Sequence, residues 1–531
     1  MNLGFLIDNR KCIGCHACTV ACKSEHEVPI GVNRTWVKYV EKGSFPKTQR
    51  LFSVLRCNHC EEAPCVEICP TTALYYRDNG IVDFDTQRCI ACKSCMQACP
   101  YDALYIDPDD HVAEKCNFCA HRIDVGLEPS CVVVCPEEAI VFGDLDNEKS
   151  NISQLVKNEP VTVRKAEKGT KPKVYYIDGD KASLDPSLAK PDDQYLWSEQ
   201  YKGVGHFSHF AEEKANEKDP KDLLIQLAME AGAKRENINS PDEIVETLKS
   251  GDARRVYDSP SKGILWGWEV SAYVWTKAIS SGLFFMTFFS KLMGWVTFSP
   301  AAEINSLWGS LIFLLLTTVL LIKDLDQPRR FLYVILRPQW TSWLVKGAYG
   351  LVGFGGVLTL LILNSYLNLV NLAWLEWVGA ALALFAAVYT AFLFAQAKGR
   401  DFWQSHMAPY QMVIHAFLAG GAGVALLTGE ISMGLALFMA GLLLLNLGIF
   451  AAELTTSSLT DDARTAAQMI LRGRYAVLFW TSIGLTRVIP LILLFVGVTI
   501  IPIQIVVLVL LSGILVTEHI WIRVPQLIAL S

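Results

Sequence analysis

The chain has 531 residues, 16 cysteines and a formal net charge of −6, enough length for more than one domain. Residues 1–265 hold 33 Lys and Arg against 42 Asp and Glu, whereas residues 266–531 hold 14 against 11 and no cysteine. The acidic first half argues against a nucleic-acid partner, which calls for a basic patch, and the long apolar runs of the second half predict a membrane domain rather than a wholly soluble protein.

The N-terminal stretch "MNLGFLIDNRKC" has neither a basic segment followed by an apolar core nor a twin-arginine pair, so no secretory signal is expected. The cysteines then belong to a reducing compartment, where structural disulfides are rare. They fall into four groups of four: Cys12, Cys15, Cys18 and Cys22; Cys57, Cys60, Cys65 and Cys69; Cys89, Cys92, Cys95 and Cys99; Cys116, Cys119, Cys131 and Cys135. Pro70, Pro100 and Pro136 follow the last cysteine of three groups, and Lys23 follows that of the first. A proline there favours a turn and stops a helix. Cysteines at two-residue intervals wrap one tight loop around three corners of a cubane, and the fourth, three residues on, reaches a neighbouring cluster. A zinc ribbon uses two separated CxxC pairs instead. The reading is therefore four [4Fe–4S] clusters.

Exchange of fourth cysteines between the second and third groups predicts ligand sets Cys57, Cys60, Cys65, Cys99 and Cys89, Cys92, Cys95, Cys69. The outer groups then pair as Cys12, Cys15, Cys18, Cys135 and Cys116, Cys119, Cys131, Cys22. Four clusters within about 125 residues form a wire for one-electron hops between two distant redox partners. His59, Lys93 and Arg88 sit beside ligands, either to tune potentials or merely as solvated neighbours. This α+β ferredoxin-like multi-cluster domain is expected over residues 1–145. Residues 146–265 read as a linker or extension, with a strand at "KVYYI" and short helices at "DLLIQLAMEAGA" and "PDEIVETLK".

Residues 266–531 are expected to form an all-α, eight-helix transmembrane domain, with spans near 269–293, 304–323, 343–366, 373–396, 408–428, 431–452, 475–497 and 501–521. Trp266, Trp268, Trp340, Trp343, Trp374, Trp377 and Trp521 fall near predicted ends, as in an aromatic belt. Lys323, Arg329, Arg330, Arg337, Lys398, Arg400, Arg464, Arg472, Arg474 and Arg523 gather in the even-to-odd loops and tail. The positive-inside rule then puts both termini and the cluster domain in the cytoplasm. Three histidines, His406, His415 and His519, are too few for two bis-histidine haems, so no haem is expected and a lipid-soluble quinone becomes the acceptor or donor. Ionisable groups inside a membrane are costly and functional by default. The stripe Glu269, Tyr273, Lys277, one turn apart on one helix face, is the candidate quinone or proton site, against a structural pair or snorkelling for Lys277. Arg487 is expected to pair with a buried acid, Glu453 or Glu376.

The phrases "CNHCEEAPCVEICPTTA" and "CIACKSCMQACPYDA" resemble the four-cluster electron-transfer subunit of membrane-bound molybdenum oxidoreductases of the polysulfide and dimethyl sulfoxide reductase type. "LWGWEVSAYVWTKAISSG", "DLDQPRRFLYVILRPQWTSW" and "YTAFLFAQAKGRDFW" resemble the haem-free NrfD and polysulfide reductase membrane anchors. The resemblance implies a menaquinone or ubiquinone near the cluster-proximal ends of the first four helices, with a fourth-helix tyrosine resembling Tyr389. It also implies a separate molybdopterin-dependent catalytic subunit and a place in a bacterial or archaeal cell membrane. Many relatives face the periplasm, which keeps that side open as an alternative. The fusion of wire and anchor in one polypeptide is a departure from the family. A stand-alone ferredoxin–quinone oxidoreductase, with or without proton translocation, is the competing reading.

Overall fold

A computed structural model describes residues 1–44, 46–191, 253–367, 373–455, 460–496 and 502–531. The two short helices expected near 222–249 lie outside the described residues.

The N-terminal half is built on two four-stranded sheets and two short hairpins. Leu3–Asp8 is buried along its whole length, as a central strand must be. It pairs antiparallel with Ile140–Asp144 and parallel with Val174–Ile177, which in turn holds Val161–Thr162. The second sheet runs Ala189–Pro191, Ala253–Tyr257, Thr35–Ser44 and Lys47–Arg56. The predicted strand at "KVYYI" is thus present and pairs with Leu3–Asp8. Strands from the supposed linker complete both sheets, because a parallel partner for Leu3–Asp8 must come from a distant crossover.

The second half holds eight long helical segments among the described residues. They are helix 1 (Trp268–Leu292), helix 2 (Pro300–Lys323), helix 3 (Trp343–Leu367), helix 4 (Ala373–Gln396), helix 5 (Ala408–Thr428), helix 6 (Met433–Thr455), helix 7 (Ala476–Ile483 continuing to Val496) and helix 8 (Ile503–Arg523). Seven are long and apolar enough to cross a membrane; helix 1 is less apolar, because Lys277 and neighbouring serines and threonines interrupt its apolar stretch. Helix 7 is interrupted by a π-turn over Gly484–Val488, which contains Arg487; such bulges frequently mark functional positions.

Helices 1 and 5 cross backbone to backbone at Gly282 and Gly420. A Cβ on Gly282 would run into the Ala416 carbonyl, and one on Gly420 into Gly282. Small residues permit this approach in a membrane. Gly282→Val should therefore destabilise the detergent-solubilised protein by about 1–3 kcal/mol or more, the range for overpacking, read as a lowered thermal midpoint; an unchanged midpoint would mean the helices part without cost.

The cluster domain sits on the ends of these helices, and one apolar core runs through both. Ser342 donates to the Ile68 carbonyl (2.7 Å), Arg330 to the Cys89 carbonyl (3.0 Å) and Arg400 to Gln97 (2.8 Å); Gln97 in turn donates to Gln526 (2.6 Å). Gly399 lies so close to the Cys99 carbonyl that a Cβ would collide at 2.8 Å. The basic loops and the cluster domain share one face. Arg330 and Arg400 are spent on docking, while Arg472 and Arg474 remain exposed. Trp266 and Trp521 are buried, not part of a belt: Trp266 donates to the Cys92 carbonyl (3.1 Å). Trp268, Trp340, Trp374 and Trp377 are exposed.

Candidate functional site

The cysteine loops share a backbone device. The residue before the second cysteine of each group adopts a left-handed conformation: Gly14 (φ 70°), His59 (43°), Ala91 (53°) and Phe118 (66°). The turn aims amides inward, the geometry of anion-binding nests. Amides donate to sulfur at His59 N–Cys57 Sγ (3.5 Å), Ala91 N–Cys89 Sγ (3.3 Å) and Ala139 N–Cys135 Sγ (3.2 Å).

The fold gathers the thiols into four places. Cys57, Cys60, Cys65 and Cys99 line one small cavity, and Cys12, Cys15, Cys18 and Cys135 line another. Cys69 is the electrostatic neighbour of Cys89, Cys92 and Cys95, and Cys22 of Cys116, Cys119 and Cys131. Among the described residues no three His, Cys, Asp or Glu side chains are set to hold one ion; the thiolates of a mononuclear zinc would lie about 3.8 Å apart, given Zn–S of about 2.3 Å. Burial pushes the Cys18 thiol up to about 11 and the Cys60 and Cys92 thiols to about 12. Such groups stay protonated and inert unless a metal displaces the proton. The chemistry of the donor set, sulfur only with inward amides, fits [4Fe–4S] clusters.

The groups also form a row in space, in the order first, fourth, second, third. Cys18 neighbours Cys131, Cys116 neighbours Cys57, and Cys65 neighbours Cys95. Cys15 is exposed at one end. At the other, Cys92 lines an apolar cavity of about 390 Å³ that opens among helices 1 to 4. Tyr273 of helix 1, Tyr389 of helix 4, Trp266 and Asp324 also line it. Both tyrosines are buried, and among the described residues neither hydroxyl has a protein partner.

The other expected residues lie elsewhere. Lys277 does not line the cavity. It stands behind Tyr389, 4.7 Å from the ring centroid, donating to Thr390 Oγ1 and to the Ala387 carbonyl (3.1 Å). Glu269 turns outward to Lys323 (3.6 Å), so the stripe splits after one turn. Arg487 binds Asn446 (2.7 Å), Thr517 (3.3 Å) and His415 (3.5 Å), not Glu453 or Glu376. Glu453 takes Gln411 (2.5 Å), and Glu376 lies 3.7 Å from Lys291. His59 is buried and its Nδ1 accepts from Val82 N (3.2 Å), Lys93 pairs with Asp326 (2.9 Å), and Arg88 pairs with Asp85 (3.0 Å). Sequence reading missed Asp324. Burial raises its carboxyl to about 7, with Glu269 and Asp326 adding to the rise and Lys93 opposing it. Its signal was an acid directly after an apolar span.

A model of the 4Fe-4S dicluster domain matches residues 48–145, and one of the polysulphide reductase NrfD family matches residues 258–524. The N-terminal half is similar to a putative dimethyl sulfoxide reductase iron–sulfur subunit from Halobacterium salinarum, 38% identical over 219 residues, 36% of this chain and 84% of that protein. It is similar to a tetrathionate reductase subunit from Salmonella typhimurium, 41% identical over 199 residues (36% and 79%). A polysulfide reductase subunit from Wolinella succinogenes is 40% identical over 187 residues (34% and 97%).

Proposed function

This protein belongs to the polysulphide reductase NrfD family, with an iron–sulfur electron-transfer domain fused ahead of the membrane helices, and on that premise we propose that it passes electrons between a molybdopterin-dependent catalytic subunit and the membrane quinone pool. The observation that carries the reading is the cavity that touches Cys92 on one wall and Tyr273 and Tyr389 on the others. Four [4Fe–4S] clusters, held by the sixteen cysteines in the crossed sets, supply one-electron steps. The exposed Cys15 end is the port for the catalytic subunit, and the cavity is the port for menaquinone or ubiquinone.

The protein's own residues account for orientation and protons. The apolar helix faces accept the quinone ring and tail, and Tyr273 and Tyr389 donate to its oxygens. Quinone reduction consumes two electrons and two protons, and among the described residues Asp324 is the carboxylic acid at the cavity wall. Protonated below about pH 7, it donates; above, it cannot. Quinone-reducing turnover should thus fall as pH rises through 7, and Asp324→Asn should flatten that limb of the profile. The same shift sets a stability cost: an unfolded aspartate ionises near 3.9, so the folded state is penalised progressively between about pH 4 and 7 and fully above 7. A variant retaining the wild-type pH limb would remove Asp324 from proton delivery.

We read the membrane half as haem-free, because both ring nitrogens of His415 are engaged, by Glu518 (2.6 Å) and Arg487 (3.5 Å). We place the cluster face in the cytoplasm because exposed Arg472 and Arg474 share it. The test is purification in mild detergent, with mass spectrometry of bound proteins and elemental analysis. A stoichiometric large partner, about 16 Fe per polypeptide and Mo or W supports the proposal. The same iron without partner, Mo or W overturns it in favour of a ferredoxin–quinone oxidoreductase.

A further inference from the structure

Two buried cations lie between the cysteine groups and take no part in the functions assigned above. Arg56 closes the strand Lys47–Arg56 and is 1% exposed. Its Nη1 donates to Cys131 Sγ (3.1 Å), its guanidinium lies 4.4 Å from the Phe5 ring centroid, and its Nε and Nη2 have no partner. No carboxylate lies within ion-pair distance of it among the described residues. Its electrostatic neighbours are Cys131, Cys116 and Cys18, so it stands between the set Cys12, Cys15, Cys18, Cys135 and the set Cys22, Cys116, Cys119, Cys131. Lys115 is 0% exposed and ends the hairpin strand Ala113–Lys115. Its ammonium donates to the Val82 carbonyl and the Cys116 carbonyl (2.9 Å) and lies against the Cys57 thiol. It stands between the same Cys116 set and the set Cys57, Cys60, Cys65, Cys99.

A buried guanidinium with two unpartnered nitrogens is costly. It becomes intelligible once something negative occupies the space it faces. A four-thiolate cubane carries a net charge of roughly −2 oxidised and −3 reduced, and two adjacent cations in a weakly screened interior cancel the first and favour the second. The outer set meets one of these cations only and has Cys15 exposed to water. At the cavity end, Lys93 is already matched by Asp326. The set Cys57, Cys60, Cys65, Cys99 meets Lys115 and Lys173, but the Lys173 ammonium donates to Asn2 (3.0 Å) and to the Gly80 carbonyl; the set of Cys22, Cys116, Cys119 and Cys131 alone is flanked by both Arg56 and Lys115 and takes a guanidinium hydrogen bond at sulfur.

We propose that Arg56 and Lys115 are electrostatic positioning residues that give the cluster held by Cys22, Cys116, Cys119 and Cys131 the highest reduction potential of the four, so that it stores one electron midway along the wire. It accepts one electron from either neighbour and returns one; no bond forms or breaks and no proton moves. This inference rests on the four-cluster reading.

The test is a redox titration of the detergent-purified complex followed by electron paramagnetic resonance, with iron analysis of each sample. The transition of interest is the one lost or altered in Cys119→Ser. It should be the first to reduce in the wild type. In Arg56→Gln and in Lys115→Met its reduction equilibrium constant should fall at least tenfold, which is about 59 mV for one electron, while the cavity-end transition moves less than threefold. Arg56→Lys, which keeps the charge, should stay within threefold of wild type. The inference is overturned if that transition is not the highest, if both neutral variants leave it within threefold at full iron content, or if all four transitions move together. Should Arg56→Gln lose iron, Lys115→Met decides from the other side. A wild-type protein without cubane signals would sink the cluster reading itself, and this inference with it.

Discussion

Replacing Cys99 with serine should cost the cluster bound by Cys57, Cys60 and Cys65, and spare the one bound by Cys89, Cys92 and Cys95. In sequence Cys99 belongs to the second of these trios. In space it lines the cavity of the first, together with Cys57, Cys60 and Cys65. Cys69 makes the reciprocal exchange, lying with Cys89, Cys92 and Cys95. The cause is local: the helical turn Ser94–Ala98 ends at Cys99, whose extended backbone (φ −76°, ψ 115°) carries the sulfur away from its own loop before Pro100. Iron should drop from about 16 to about 12 per polypeptide. Because the lost cluster lies in the middle of the wire, turnover between reductant and quinone should fall on the order of 100-fold, about 2.7 kcal/mol of barrier. Cys69→Ser should produce the mirror image at the cavity end. Loss of the same paramagnetic signal in both variants, or loss of the Cys89-type signal in Cys99→Ser, would refute the crossed wiring.

The cysteines and apolar spans were legible in the sequence because each rests on a local rule, ligand spacing in one case and hydropathy in the other. What was hidden depends on long-range pairing. Nothing in "KVYYI" says that it will lie parallel to residues 3–8, so a strand essential to the cluster domain reads as linker. Left-handed turns at His59, Ala91 and Phe118 are invisible where the residue is not glycine. Trp266 looks like an interfacial anchor until the cluster domain is seen covering it. The quinone stripe divides for a related reason. Helical periodicity puts Glu269, Tyr273 and Lys277 on one face, but a face of one helix meets several neighbours. Glu269 meets Lys323 at the end of helix 2, Tyr273 the cavity and Lys277 the helix 4 backbone. Arg487 was assigned an acid on the assumption that a buried cation needs one. The π-turn instead delivers it to an amide, a hydroxyl and an imidazole.

Lys277→Met should slow quinone turnover by on the order of 10- to 100-fold, about 1.4–2.7 kcal/mol, while leaving all cluster spectra unchanged. The side chain is 1% exposed and has no carboxylate within ion-pair distance among the described residues. Its bonds go to Thr390 and Ala387, on either side of Tyr389 in helix 4, and its ammonium faces the Tyr389 ring. The ring also meets Gly347 of helix 3, where a Cβ would collide with it. Tyr389 is therefore packed against both a cation and a bare backbone, and it lines the cavity. Methionine keeps the length and apolar bulk of lysine and removes only the charge and its donors, so the helices should still pack. Lys277 acts through Tyr389 and is a positioning residue. Its loss should raise KM for quinone as well as lower kcat, and Thr390→Val should move both in the same direction by less. A purely structural lysine gives a different pattern. Interhelical hydrogen bonds in membranes average about 0.6 kcal/mol, so a structural loss would show as a slightly lower thermal midpoint with unchanged turnover per folded molecule.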